Sequence, residues 1–139
     1  MRPGESIIEV LGLAPHPEGG WYRRTWEAPA KVGERPAASA IYYLLLEGEV
    51  SAPHRIDAAE LWHFYDGDPL ELVREPPGGP AEVIILGRDV SAGQRPQAVV
   101  EAGVWQWARP LGRYALVGAT VTPAFTFEGF ELRNGPGAG

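Results

Sequence analysis

The sequence predicts an all-β domain, an antiparallel jelly-roll barrel with one short N-terminal helix. Two observations carry this reading. Short apolar runs of strand length recur along the chain, several of them alternating with period two. Turn-forming clusters separate them, such as Asp66-Gly67-Asp68-Pro69 and Pro76-Pro77-Gly78-Gly79-Pro80, and the 18 Gly and 14 Pro are scattered between apolar runs. The 139 residues fit one domain, expected over 1–139 with an ordered core of about 4–132. A chain of this size buries about 68% of its unfolded surface, enough for a core without covalent staples.

The elements follow in order. Residues 4–12 read as a short packing helix, because Ile7, Ile8 and Leu11 form one apolar stripe. Gly12 is a suitable C-cap, and Pro15 and Pro17 prevent continuation. In His16-Pro17-Glu18-Gly19-Gly20 a rigid proline precedes two glycines, so the backbone can approach a neighbour closely. Trp21 to Trp26 alternates as a strand, and 29–37 is a polar loop. Ser39 to Leu46 is apolar on both faces and needs cover on both. A second subunit is the expected outer cover, which implies a homodimer.

Asp66 to Pro69 reads as a hairpin turn into the strand Leu70 to Arg74, and Ala81 to Leu86 as the returning strand. Residues 87–96 form an irregular loop. Tyr114 to Val121 is a further strand, and Pro123 to Leu132 closes the domain with its Phe residues assigned to the core. The tail from Arg133 is rich in Gly and Pro and is expected to be disordered.

Composition excludes several functions. The absence of Cys removes disulfides and thiolate metal sites. The net charge is −6 with no basic run, so no nucleic-acid partner is expected. Glu5 and Glu9 stand where a signal peptide would be apolar, and the longest nearly apolar stretch, Ala37 to Leu46, is too short to span a bilayer. No membrane partner is expected, and a cytoplasmic location is.

The chemistry gathers in Gly48 to Gly67. Residues two apart on a strand share a face, so His54 and Ile56 point one way. After Asp57-Ala58-Ala59, Glu60, Trp62 and Phe64 share a face of the next strand. If these faces meet, an imidazole and a carboxylate stand among large apolar groups, where each shifts its pKa or finds a partner. A buried pair that merely satisfies itself is the plain alternative. By the same alternation Ser51 and Arg55 face away from His54, which argues against a Ser–His nucleophile pair, and His63 points away from the site.

The spacing of Gly48, His54, Glu60 and Gly67 resembles the first motif of the cupin superfamily, Gly-x5-His-x-His-x3/4-Glu-x6-Gly, with Ile56 at the second His. Gly93 and Gly103 fall as in the second motif, where Gln106 takes the position of the last metal-binding His. His16 to Gly20, Arg23, Thr25 and the pair Trp105-Gln106 resemble a branch of small single-domain cupins of largely unknown function. The resemblance implies a cupin-type barrel with His54, Ile56, Glu60 and Gln106 turned inward. A cupin metal site presents three His and one Glu there. An aliphatic side chain and a neutral amide are poor substitutes for imidazole, so no cofactor is expected, with His54, Glu60 and Gln106 the candidates for a weakly held divalent metal.

Some cupin-like epimerases of nucleotide-linked deoxysugars use a His base and a Tyr acid without metal. On that resemblance His54 and Glu60 are the candidate catalytic residues, and sequence does not choose among the five Tyr. Gln106, Trp62, Phe64, Arg23, His16 and Glu18 are the candidate binding residues for a small polar, carbohydrate-like molecule. Trp62 and Phe64 are expected to wall the pocket and Arg23 to meet an anionic group; His16 and Glu18 could instead simply cap a turn. A non-catalytic binding barrel is the alternative to an epimerase or isomerase. A proton donor converging with His54 on one pocket separates the two.

Overall fold

The helix expected near the N-terminus is α1 (Ser6–Leu11), closed by Gly12 in the left-handed conformation. The structure is a computed structural model and describes residues 1–133. After α1 the strands are β1 (Ala14–Pro15), β2 (Trp21–Glu27), β3 (Ser39–Leu46), β4 (Ser51–Ile56), β5 (Ala59–Gly67) and β6 (Leu70–Glu75). Then come β7 (Glu82–Leu86), β8 (Gln97–Val100), β9 (Trp105–Pro110), β10 (Tyr114–Thr122) and β11 (Phe130–Leu132). They form a six-stranded sheet, β1-β2-β3-β10-β5-β8, facing a five-stranded sheet, β11-β4-β9-β6-β7. Every pairing is antiparallel, and the two sheets close on each other as a jelly roll. No helix among the described residues is long and apolar enough to cross a membrane.

Alternation places the core. Tyr43 and Leu45 of β3 face inward and meet Trp62, Leu70, Leu72 and Leu86 between the sheets. Each fully buried Leu there contributes about 1.5–3 kcal/mol. The outer face of β3 carries Leu44 and Leu46, which are as buried as the inner ones. Their cover comes from the chain itself: Ile7, Ile8 and Leu11 of α1 pack on them with Leu13 and Trp21. A second subunit is therefore not required at these positions, and the expectation of intermolecular cover is corrected there.

One further expectation changes, one strand is added, and one expectation falls mostly outside the described residues. Asp66 to Pro69 does turn the chain, but it carries it from β5 in one sheet to β6 in the other, so it is a crossover and not a hairpin. Strand β8, pairing with β5 through Glu60↔Val100 and Trp62↔Ala98, was not anticipated after the loop 87–96. Of the expected disordered tail only Arg133 is described, and it donates to Glu75 while its guanidinium lies over Trp105. Residues 134–139 lie outside the described residues.

Candidate functional site

One end of the barrel opens into a cavity of about 440 Å³. Three pieces of chain build its polar side. Strand β4 supplies His54, strand β5 supplies Glu60, and the loop between β1 and β2 supplies His16 and Glu18. All three of His16, His54 and Glu60 are buried. The apolar walls are Tyr22, Ile41, Ile56, Val121, Phe125 and Phe127.

The loop enters the barrel because its two glycines permit it. Gly19 and Gly20 have φ of 107° and 77°, which other residues seldom adopt. A Cβ on Gly19 would lie 2.1 Å from the Val50 carbonyl oxygen, and one on Gly20 would lie 2.8 Å from that of Leu44. The loop is pinned by the Ala52 amide donating to the Glu18 carbonyl and the Tyr43 hydroxyl donating to that of Gly19. Glu18 is thereby delivered to β4. Its Oε2 accepts from the Ser51 hydroxyl, and its Oε1 lies 3.6 Å from His54 Nε2 and 3.4 Å from His16 Nδ1.

The expectation that Ser51 faces away from His54 fails here. The register between β4 and β9 shifts between Ser51 and His54, so a bulge brings both side chains to the same carboxylate. Ser51 remains a donor to Glu18, not a nucleophile activated by His54.

Hydrogen bonds fix the imidazoles. His54 Nδ1 stands 2.8 Å from the Ala52 carbonyl oxygen and must donate to it, so in the neutral ring Nε2 is the acceptor. Glu60 Oε1 accepts from Gln106 Nε2 at 2.8 Å, and Gln106 Oε1 accepts from the Trp62 indole at 2.9 Å. Burial pushes the Glu60 carboxyl up to about 7; the opposing pull of a charged His54 is smaller, and Glu18 adds to the rise. Burial also raises the Tyr43 hydroxyl well above its ordinary range, with Glu18 contributing.

The raised Glu60 pKa is a statement about stability. Between 4.5 and about 7 the folded chain holds a proton that the unfolded chain has released. This contribution is fully present below 4.5 and is lost as pH rises through about 7. Glu60→Gln keeps an acceptor for Gln106 and never ionises. It is expected to exceed the parent in stability by about 3 kcal/mol at pH 8 and to match it near pH 4. Denaturant titration at the two pH values measures the difference; an equal gap at both would show that Glu60 does not titrate in this range.

The sequence-proposed residues separate into two groups. His16, Glu18, His54 and Glu60 line the cavity. Gln106, fully buried, lies behind Glu60 and supports it instead of lining the cavity. Trp62 and Phe64 are not its walls: Trp62 is a core residue against Tyr43, and Phe64 packs on the same core. Arg23 does not reach the cavity, because it points outward and donates to the Leu11 carbonyl. Its neighbour Arg24 lines the cavity, held by Glu27 and the Phe125 carbonyl.

Sequence reasoning missed Arg24, Tyr22, Phe125 and Phe127. Tyr22 is the only tyrosine lining the cavity among the described residues. Phe125 and Phe127, assigned to the core, form one rim, and Phe127 is 53% exposed. Their spacing of two, just after a strand, was the available signal.

His54, Ile56, Glu60 and Gln106 stand at the positions where cupins hold a metal, and these residues fit one poorly. Ile56 offers no donor atom, and both ends of the Gln106 amide are engaged by Trp62 and Glu60. Among the described residues no three His, Cys, Asp or Glu are placed to hold a metal ion.

Solved structures resemble this one over nearly its whole length. A protein from Shewanella oneidensis is 37% identical and superposes with a TM-score of 0.88, covering 95% of this chain and 84% of its own. A hypothetical protein from Leishmania major is 29% identical with a TM-score of 0.84, covering 92% of this chain and 85% of its own. Oxalate decarboxylase from Bacillus subtilis is 11% identical with a TM-score of 0.64, over 83% of this chain and 28% of its own, a likeness of fold alone. No curated protein matches the sequence. A family model described as Cupin_5, Cupin superfamily (DUF985), matches residues 5–133, and the chain belongs to that family.

Proposed function

We propose that this cupin is a proton-transfer enzyme, an epimerase or isomerase acting on a small polar, carbohydrate-like molecule. One observation carries the reading. An imidazole nitrogen that is an acceptor in the neutral ring, His54 Nε2, and a carboxyl pushed up to about 7, Glu60, converge on one walled cavity. A base beside a carboxyl that changes protonation near neutrality is what the removal and return of a C–H proton need.

In this reading His54 takes the proton and Glu18, beside Nε2, stabilises the imidazolium that forms. Glu60, protonated in about half the molecules at pH 7, returns a proton. The aromatic rim of Phe125 and Phe127 offers an apolar face to a sugar-like ring and restricts water.

The test is proton exchange. The protein is incubated in D2O with a panel of aldoses, ketoses and nucleotide sugars, and deuterium entering C–H positions is followed by NMR. Incorporation at one carbon is expected, falling at least about a hundredfold in His54→Ala. Binding is followed by tryptophan fluorescence, because Trp62 reaches the cavity through Gln106 and Glu60. A panel member that binds without exchanging would make the protein a binding barrel and overturn the enzymatic reading.

A further inference from the structure

His16 is the buried group that the proton-transfer reading leaves unused, and its hydrogen bonding is opposite to that of His54. The Glu18 amide donates to His16 Nδ1 at 3.1 Å. Nδ1 is therefore the acceptor, and in the neutral ring the proton sits on Nε2. Nε2 makes no hydrogen bond among the described residues, and no buried side-chain nitrogen or oxygen among them lacks a partner. Nε2–H thus faces the open cavity that His16 lines. The ring is held edge-on by Tyr22 at 4.5 Å between centroids and enclosed by Phe125, Phe127 and Phe130.

The same surroundings keep the ring neutral. Burial lowers the His16 pKa, the nearby Glu18 carboxylate opposes this, and His54 lowers it further. A charge gained by His54 during proton transfer strengthens that last effect. The other cationic side chain at the cavity, Arg24, is already engaged by Glu27 and the Phe125 carbonyl. Among the described residues that line the cavity, His16 offers an N–H donor with no partner.

Resting on the proton-transfer reading, we infer that His16 donates its Nε2–H to a substrate carbonyl oxygen, so that the substrate is a ketone or aldehyde whose labile C–H lies next to that carbonyl. An N–H aimed into a cavity with aromatic walls is suited to an oxygen that gains charge. His54 Nε2 takes the C–H proton, and the C–H electron pair becomes the carbon–carbon double bond. The carbonyl π pair moves onto oxygen, where the His16 N–H holds it. When the enolate collapses, carbon takes a proton from Glu60. His54 then releases its proton and Glu60 regains one, so no oxidant or reductant is needed.

The experiment uses 15N-histidine-labelled wild-type protein and paired probes, dihydroxyacetone with glycerol and fructose with sorbitol. The free protein should show His16 neutral with the proton on Nε2 at pH 7. An imidazolium, or a proton on Nδ1, overturns the inference. The ketones should shift the Nε2–H resonance and the alditols should not; equal shifts from both members of each pair, or none from either ketone, overturn it. Deuterium exchange into the ketones should fall about a hundredfold in His16→Leu and be partly restored in His16→Gln, which keeps an N–H donor. Exchange that is unchanged in His16→Leu but lost in His54→Ala would leave the proton-transfer reading standing and remove this one. If His16→Leu does not fold, the resonance shifts in the wild type decide alone.

Discussion

Gln106→Leu is expected to lower the unfolding free energy by about 4 kcal/mol, with no cavity to account for it. The two side chains are similar in size, and the position is fully buried. What Leu removes is the pair of hydrogen bonds joining the Trp62 indole to Gln106 Oε1 and Gln106 Nε2 to Glu60. An indole N–H left unpaired in the core costs about 1–3 kcal/mol, and a carboxyl losing its donor costs a similar amount. Urea unfolding followed by tryptophan fluorescence measures the loss. Adding Trp62→Phe and Glu60→Leu removes the orphaned groups as well and should recover much of it. An unchanged midpoint for Gln106→Leu alone would show that the network contributes nothing to stability.

The architecture was legible because alternation and turn chemistry are local signals. Ile7, Ile8 and Leu11 marked the helix, and β3 announced two buried faces through Ser39 to Leu46. What alternation leaves open is which layer covers a face. The outer face of β3 fits a partner subunit and a folded-back helix equally well, and only the path of the chain through Leu13 decides it. The Asp66 to Pro69 turn has the same limit. Its residues specify a reversal and say nothing of which sheet receives the next strand.

The candidate site was legible in its residue types and misread in its directions. His54 and Glu60 were named from the motif that resembles cupins, His16 and Glu18 from the His16 to Gly20 loop, and all four share one cavity. Arg23 and Arg24 could not be told apart, because each follows an aromatic residue on its own face: Trp21 with Arg23 outward, Tyr22 with Arg24 inward. Ser51 was misdirected because a bulge shifts the alternation by one residue, and nothing in Ser51-Ala52-Pro53-His54 announces it beyond the proline. Trp62 was expected at a cavity wall; the hydrogen bond from its indole to Gln106 draws it into the core instead.

Gly19→Ala is expected to destabilise the protein by about 4 kcal/mol and to empty the site of Glu18. The residue has φ of 107°, where an L side chain is strained. Its new methyl would stand 2.1 Å from the Val50 carbonyl oxygen, a backbone atom that cannot move without β4. The loop must therefore lift, and lifting it breaks the bond from the Ala52 amide to Glu18 and that from the Tyr43 hydroxyl to Gly19. Glu18 then leaves Ser51 and His54, so His54 loses the carboxylate beside its Nε2. Gly33 provides the control. It also has positive φ, at 85°, but its Cβ would meet nothing within 4 Å. Gly33→Ala should thus cost only the backbone strain, about 1–2 kcal/mol. Thermal unfolding of the two variants separates the terms, and the NMR chemical shifts of the His54 ring nitrogens read the site. The expected result is a large loss of stability and displaced His54 ring resonances in Gly19→Ala only. Equal losses in the two variants would mean that the loop has room to spare beneath Val50 and that Gly19 is not what seats Glu18 against His54.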